Sequence, residues 1–210
     1  MRWTERTRQT YKLYKGPTSA GVMDMTSDIL GNDELAERGE SLLVIIDMQE
    51  RLLPAMAHRE MVAENTKRLI AFSDIIGLPM VVTEQEKLGP TVFHLAHLKQ
   101  AVQPILKVAF NCFLSDEFAD AIHRSGRKRL ILTGLEAHIC VAQTALYAVP
   151  QFKVQVVRDA ISSRTVDNWN TAVERMRVSG ITITSTEMVI YELLKRAGTD
   201  EFKATLALVK

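Results

Sequence analysis

Short apolar runs alternate with stretches of helical periodicity from residue 42 to the end of the chain. Residues 42–46 are continuously apolar, as expected for a strand that is buried on both faces. Residues 59–76 place apolar side chains close to helical spacing, and Gly77 follows as a natural helix stop. Further strands are predicted at 80–83, 105–108, 130–133, 153–157 and 181–184. The pattern predicts an α/β fold, a parallel sheet with helices on both faces.

Residues that favour helix ends mark the segments between these strands. Ser115 is predicted to cap a helix that carries acidic residues in its first turn and ends near Gly126. The helix after the sixth strand is predicted over 187–197, with Gly198 as its stop. The other predicted helices cover residues 138–149, 166–179 and 200 to the end.

The first 40 residues lack this periodicity. Residues 1–22 carry five basic side chains against one acidic, and residues 23–40 carry six acidic against one basic. We predict a loosely ordered N-terminal extension over 1–40 and a single domain over 41–210. The basic start is consistent with an organelle presequence and equally with a mis-called start codon upstream of Met23 or Met25.

The composition narrows the classes of function. A formal net charge of +1 gives no electrostatic argument for nucleic acid or a membrane surface as partner. No apolar run approaches the length of a membrane span. Only two cysteines occur, Cys112 and Cys140, which argues against a disulfide framework and for a reducing compartment. We therefore predict a cytoplasmic protein that contacts neither nucleic acid nor membrane.

Reactive side chains follow three of the predicted strands. Asp47 ends the first strand, Lys107 lies at the end of the third, and Cys140 opens the helix after the fourth. Each has a structural explanation by itself, because such an Asp often caps a helix, such a Lys is often solvated and a Cys is often buried packing. Ligands of open parallel sheets bind beyond the carboxyl ends of the strands. The combination therefore favours catalysis.

Cys140 has the setting of a nucleophile. A thiol at a helix N-terminus is expected to have a lowered pKa, because the helix dipole stabilises the thiolate. A neighbouring ammonium lowers the pKa further, and a carboxylate accepts the proton. The turn of residues 133–140 also offers N–H groups for a developing oxyanion.

Several segments resemble the isochorismatase-like cysteine hydrolases, with spacing closest to the isochorismatase-domain-containing subgroup. The resemblance covers about residues 42–203. The segments that carry it are Leu43–Asp47 with Met48-Gln49, Thr83-Glu84-Gln85 with Leu88-Gly89-Pro90-Thr91, Gly134-Leu135-Glu136-Ala137-His138-Ile139-Cys140, and Asp159-Ala160-Ile161-Ser162-Ser163-Arg164.

The resemblance implies a three-layer, Rossmann-like fold with a six-stranded parallel sheet of order 3-2-1-4-5-6. It implies a catalytic triad of Asp47, Lys107 and Cys140. It also implies an oxyanion hole made by the N–H groups of Glu136 and Cys140, with a non-proline cis peptide at Leu135–Glu136. Family members are usually oligomers, so a homo-oligomer is expected.

Five residues are candidates for substrate binding. Phe110 is a possible stacking ring but has core packing as its alternative, and Ser163 and Arg164 either line the pocket or cap the next helix. His138 is interpreted as a cleft-lining or packing residue, because residues two apart in a helix point in different directions. The full set of substrate-binding candidates is Gln49, Glu84, Phe110, Ser163 and Arg164.

No metal or cofactor is expected. Zinc-binding nicotinamidases of this superfamily carry an Asp-x-His arrangement and a further His after the second strand, whereas this chain reads Glu84-Gln85-Glu86 there. His94 and His97 lie further along and are interpreted as surface residues. No glycine fingerprint for a dinucleotide follows the first strand. Cys112 is expected to be buried beside Phe110 and Phe113.

These features lead to one hypothesis with two alternatives. The hypothesis is a hydrolase of a small amide, ureide or related carbonyl compound, with Asp47 as base, Cys140 as nucleophile and a thioester intermediate. The first alternative is a non-catalytic, oligomeric binding or scaffold protein that keeps the fold. The second is a redox-sensing thiol at Cys140.

Overall fold

The computed structural model describes residues 35–93 and 102–209. In this part of the chain, six strands form one parallel sheet in the order β3-β2-β1-β4-β5-β6. The strands are β1 (Ser41–Ile46), β2 (Met80–Gln85), β3 (Ile105–Lys107), β4 (Arg129–Leu135), β5 (Lys153–Ser162) and β6 (Thr182–Thr184). The predicted fold class and strand order are confirmed.

Within residues 35–93 and 102–209, six α-helices and three short turns accompany these strands. The α-helices are α1 (Arg59–Ile76), α2 (Asp116–Arg124), α3 (Ala142–Ala148), α4 (Val166–Val178), α5 (Thr186–Leu194) and α6 (Asp200–Val209). The short turns are 3-10 turns at Leu53–Ala55 and Cys112–Leu114, and a π turn at Ala137–Val141.

The central position of β1 in the sheet explains why residues 42–46 are apolar at every position and do not alternate with polar residues. Leu42, Val44 and Ile46 pack into one core layer, whereas Leu43 and Ile45 pack into the other. Successive residues of a strand point to opposite faces, so a strand covered by helices on both sides needs apolar residues at every position.

Several predicted boundaries were wrong. Strand β5 continues to Ser162, and its pairing with β4 shifts register between Leu132 and Gly134. Helix α5 ends at Leu194, where Lys195 takes a left-handed φ of 60° and donates its N–H to Tyr191. Gly198 is therefore not the helix stop.

One predicted helix start was wrong, and one predicted cap lacks its side-chain hydrogen bond. The segment predicted as a helix over 138–149 is divided into the π turn and α3. Ser115 precedes α2, but its side chain makes no capping hydrogen bond.

Residues 35–40 pack against the last two helices. Ala36 is buried and donates its N–H to Glu192 at 2.8 Å, and Arg38 pairs with Glu201 at 2.9 Å. The rest of the predicted extension, residues 1–34, lies outside the described residues. In the part of the chain that is described, no helix has the length and apolarity to cross a membrane.

Candidate active site

Four strand ends meet at one edge of the sheet and carry the candidate site. Ile46 at the end of β1 pairs with Thr83 of β2 on one side and Gly134 of β4 on the other. Gln85 pairs with Lys107 at the end of β3. Because all strands are parallel, their carboxyl ends form one crevice at this edge.

Gly134 allows the two central strands to approach closely just before the site. A Cβ atom at this position would lie 2.0 Å from the backbone oxygen of Ile46, and its φ is +130°. Only glycine fits both the contact and the backbone conformation.

Two non-glycine residues at this edge have left-handed backbone conformations. Asp47 has a φ of 53° directly after β1, and Glu136 has a φ of 55° directly after β4. This region is uncommon for residues with a Cβ atom, and such conformations cluster at functional sites.

Asp47, Lys107 and Cys140 are brought together in a buried group, which we call the inner cluster. Lys107 Nζ donates to Asp47 Oδ2 at 2.7 Å and lies 3.9 Å from Cys140 Sγ. The side chains of Asp47 and Lys107 have no solvent exposure, and Cys140 is 4% exposed. Three segments that are distant in sequence therefore supply a carboxylate, an ammonium and a thiol in mutual contact.

The expected lowering of the Cys140 pKa was wrong. Burial raises the pKa of this thiol, and the negative charge of Asp47 raises it further, while Lys107 only partly opposes them. The helix-dipole argument failed because Cys140 lies inside a buried π turn, where desolvation disfavours the thiolate. The resting form is therefore a neutral thiol beside a carboxylate.

Lys107 stays charged in spite of its burial. Desolvation alone would lower its pKa, but the charge of Asp47, with smaller contributions from Cys112 and Cys140, outweighs it and raises the pKa. Its ammonium also donates to Gln85 Oε1 at 2.8 Å and to the Ala109 carbonyl at 3.2 Å. The charge is thus well solvated by protein groups.

Sequence reasoning missed two residues that hold the inner cluster. Thr83 Oγ1 donates to Asp47 Oδ1 at 2.8 Å, and Gln85 accepts from Lys107. Both lie on β2 with one residue between them, so they point to the same face of the sheet. The available signal in the sequence was the polar side chains of Thr83 and Gln85, which lie on one face of β2 near its carboxyl end.

The comparison with protein families decides the classification. The family model of the Isochorismatase domain matches residues 41–188. The chain belongs to the isochorismatase domain family. This confirms the resemblance found in the sequence and supports a hydrolase activity of the cysteine-hydrolase type.

Named relatives agree on the family but not on a substrate. The secreted isochorismatase effector Isc1 of Phytophthora sojae is 34% identical over 177 residues, covering 81% of this chain and 84% of the effector. Isochorismatase domain-containing protein 2 of Danio rerio is 32% identical over 176 residues, with coverages of 82% and 88%. The solved structure of MAR1 ribonuclease from Caenorhabditis elegans has a TM-score of 0.77 and 28% identity, covering 83% of this chain and 92% of that one.

Two of the predicted substrate-binding residues, Gln49 and Glu84, form hydrogen bonds with the loop after β2, and their contact with a substrate stays a prediction. The Gln49 side chain donates to the carbonyls of Gln85 at 3.0 Å and Gly89 at 2.6 Å, and accepts from the Gln85 N–H at 2.8 Å. Glu84 accepts the Thr91 N–H at 2.7 Å. Both side chains therefore fix the loop after β2.

Glu136, His138 and Arg164 form a second group, which we call the outer cluster. Arg164 Nε pairs with Glu136 Oε1 at 2.7 Å, and His138 Nδ1 lies 3.4 Å from Glu136 Oε2. His138 also contacts the buried Ser163 hydroxyl at 3.0 Å. These contacts join the turn after β4 to the end of β5.

Phe110 and Cys112 lie beside the inner cluster in different environments. Phe110 follows Ala109, whose carbonyl accepts a hydrogen bond from Lys107, and Phe110 is 55% exposed. The alternative of core packing for Phe110 was therefore wrong. Cys112 is buried as expected, and burial raises its thiol pKa to about 11.

The implied cis peptide was wrong, because the Leu135–Glu136 bond is trans. The chain turns instead through the left-handed conformation of Glu136, and a cis bond between non-proline residues carries a large energetic cost. The Glu136 carbonyl accepts the N–H groups of Ile139 at 2.8 Å and Val141 at 3.3 Å. The oxyanion role of Glu136 and Cys140 stays a prediction.

The predicted absence of a metal depended on residues around β2. His94 and His97 lie outside the described residues. Within residues 35–93 and 102–209, no group of three or more His, Cys, Asp or Glu side chains is arranged to hold a metal ion. Gln85, in the segment that replaces the zinc-binding pattern, binds Lys107 instead.

Proposed function

We propose that this protein is a cysteine-nucleophile hydrolase that acts on a small amide, ureide or related carbonyl compound. The observation that carries the proposal is the contact of Lys107 Nζ with both Asp47 Oδ2 and Cys140 Sγ, at 2.7 and 3.9 Å, in a buried site. A buried Asp–Lys pair does not require a neighbouring thiol for its stability. A nucleophilic thiol, by contrast, requires a carboxylate to accept its proton and an ammonium to stabilise the resulting negative charge.

In the proposed reaction, Asp47 takes the Cys140 proton as the sulfur attacks the substrate carbonyl carbon. Because the resting thiol has a raised pKa, the proton moves during the attack and no thiolate accumulates beforehand. Lys107 stabilises the negative charge that passes between carboxylate and sulfur.

The second half of the reaction releases the products. The C–N bond breaks, Asp47 returns its proton to the leaving nitrogen, and a thioester remains on Cys140. Water then attacks the thioester carbonyl while Asp47 takes a proton from it. The C–S bond breaks, the acid product leaves, and Asp47 passes the proton to the sulfur to restore the free thiol. The N–H groups of Glu136 and Cys140 are the proposed donors to the oxyanion in both halves.

A substrate screen with matched variants tests this proposal. Small primary amides, ureides and esters are incubated with the wild type, Cys140→Ala and Cys112→Ala, and RNA is included because one structural relative is named a ribonuclease. We expect turnover of a small carbonyl compound that is lost in Cys140→Ala and kept in Cys112→Ala. Turnover that survives Cys140→Ala, or cleavage of RNA alone, contradicts the proposal, and no turnover of any compound favours the scaffold alternative.

Substrate contacts are proposed at the exposed rim of the site. Phe110 and the side chain of Arg164 are both more than half exposed, so they are available to a bound molecule. Gln49, Glu84 and Ser163 are occupied by internal hydrogen bonds and act on the substrate only by shaping the loops.

A homo-oligomer is proposed from the edge of the sheet. Among the described strands, β3 lies at one edge of the sheet. Leu106 in β3 and Val108 just after it are exposed, as is Leu114 in the following 3-10 turn. Exposed apolar side chains beside unpaired strand edges favour association. Analytical ultracentrifugation of the wild type and Val108→Lys tests this, with a smaller assembly expected for the variant and a monomeric wild type as the contradicting result.

A cytoplasmic location is proposed from the cysteines, since both thiols are free and buried. One relative is named a secreted effector, so fractionation of the source cells is the direct test. Recovery of the protein outside the cells contradicts the proposal.

A further inference from the structure

Thr83 holds both the backbone and the side chain of Asp47. Its carbonyl accepts the Asp47 N–H at 3.2 Å, and its hydroxyl donates to Asp47 Oδ1 at 2.8 Å. Thr83 and Asp47 are fully buried, so water does not replace either bond.

The two carboxylate oxygens of Asp47 have different partners. Thr83 occupies Oδ1, whereas Lys107 occupies Oδ2. A carboxylate that is held at both oxygens cannot rotate about its Cβ–Cγ bond, and a bond donated to a charged acceptor is stronger than one between neutral groups. Without the hydroxyl, Oδ1 loses a buried hydrogen bond that favours the ionised form of the carboxyl group.

We propose that Thr83 is a positioning residue that keeps the Asp47 carboxylate ionised and oriented for proton transfer from Cys140. This inference rests on the proposed function, because it assigns Thr83 a part in the activation of the nucleophile. Thr83 acts through Asp47 and takes no proton itself.

The pH dependence of thiol alkylation reports this role without a substrate. The reactive form, a thiolate beside a protonated carboxyl, contains the same number of protons as the resting form. The alkylation rate is therefore constant while the carboxylate is ionised, and it falls at low pH when the carboxyl takes a proton from solution. Lys107, Cys112 and Cys140 are titratable groups close to this carboxylate, since the charge of Asp47 raises the pKa of each of them.

The experiment measures iodoacetamide labelling of Cys140 by peptide mass spectrometry from about pH 4 to pH 9 in variants of Thr83. Thr83→Val keeps the shape but removes the hydroxyl, and we expect the midpoint of the acid limb to move up by about one to two pH units. Thr83→Ser keeps the donor, so its midpoint stays near the wild-type value. Thr83→Ala is a second hydroxyl-free variant, which gives the same test should the valine variant not fold.

Thr205→Val is the matched control, because its buried hydroxyl donates to the Glu201 carbonyl at 2.8 Å in α6. Its midpoint is expected to equal that of the wild type. An unmoved midpoint in the hydroxyl-free variants, or an equal movement in Thr83→Ser, overturns the inference. A wild-type rate that rises about tenfold with each pH unit, as for a thiol that ionises into solution, overturns the proposed function instead, so the two failures are distinguishable.

Discussion

The inner and outer clusters both contain charged pairs at the carboxyl ends of the strands, but they differ in burial. In the inner cluster, the side chains of Asp47 and Lys107 have no solvent exposure. In the outer cluster, Arg164 is 56% exposed beside a Glu136 side chain that is 9% exposed. Water and salt screen the outer pair, whereas the inner charges depend on each other and on protein hydrogen bonds.

The difference in burial indicates that the structure stabilises the charges of Asp47 and Lys107 more strongly than those of the outer cluster. Each ion of the inner pair has a second, neutral partner from β2, namely Thr83 for the carboxylate and Gln85 for the ammonium. In the outer cluster, Arg164 has no such second partner, because its polar contact within the described residues is with Glu136 alone. The inner pair therefore has a fixed geometry, and the outer pair is a contact at the rim.

The largest expected effect comes from breaking the inner pair. Lys107→Met leaves the Asp47 carboxylate buried without its cation, so the free energy of unfolding should fall by about 3–5 kcal/mol. Urea unfolding followed by circular dichroism measures this loss. A loss below about 1 kcal/mol would show that the pair is not held in a low-dielectric environment.

High pH should weaken the fold around the inner cluster through Cys112. Its pKa is raised from 9.0 to about 11, so the folded thiol keeps its proton at pH values where the unfolded thiol has lost it. The stabilisation is complete below about pH 9 and is lost as the pH rises toward 11, by about 2–3 kcal/mol. In Cys112→Ala, the decline of stability between these pH values should be smaller by this amount. Equal declines in both proteins contradict the assignment.

Removing the second charge should reverse part of the damage. Adding Asp47→Asn to Lys107→Met eliminates the unpaired carboxylate, and Asn tolerates the left-handed backbone at this position. We expect the double variant to regain about 1–2 kcal/mol over Lys107→Met in the same urea experiment. A double variant that is less stable than Lys107→Met would show that Asp47 stabilises the fold by contacts other than the ion pair.

The smallest expected effect comes from the outer cluster. Arg164→Met removes a solvent-exposed partner of Glu136 and should lower the free energy of unfolding by less than about 1 kcal/mol. It is the matched control for Lys107→Met, since both replace a cation with the same side chain. A loss of several kcal/mol would place the outer pair in the same class as the inner one.

The parallel α/β fold and the placement of three reactive residues at strand ends were accessible from the sequence pattern, whereas the strand order was implied by the family resemblance. Continuous apolar runs identify buried parallel strands, and reactive side chains at strand ends are easily located. The register shift in β5 and the trans turn at Glu136 were not accessible, because both depend on how β4 packs against its neighbours.

The ionisation of Cys140 was also beyond the sequence. The position of Cys140 after a predicted strand suggests that a helix dipole lowers its pKa. The burial that raises this pKa is a property of the folded site and cannot be read from the sequence. Gln49 and Glu84 show the same limit, because the local sequence does not reveal that their side chains bind backbone groups of the loop after β2.

The pH profile of Cys140 alkylation in the wild type and in Asp47→Asn tests the central claim most directly. If Asp47 takes the thiol proton, the wild-type rate is constant between roughly pH 6 and pH 9. The Asn variant must ionise its thiol into solution, so its rate should rise about tenfold with each pH unit over the same range. A wild-type rate that rises just as steeply as that of the variant would contradict the assignment of Asp47 as the base for Cys140.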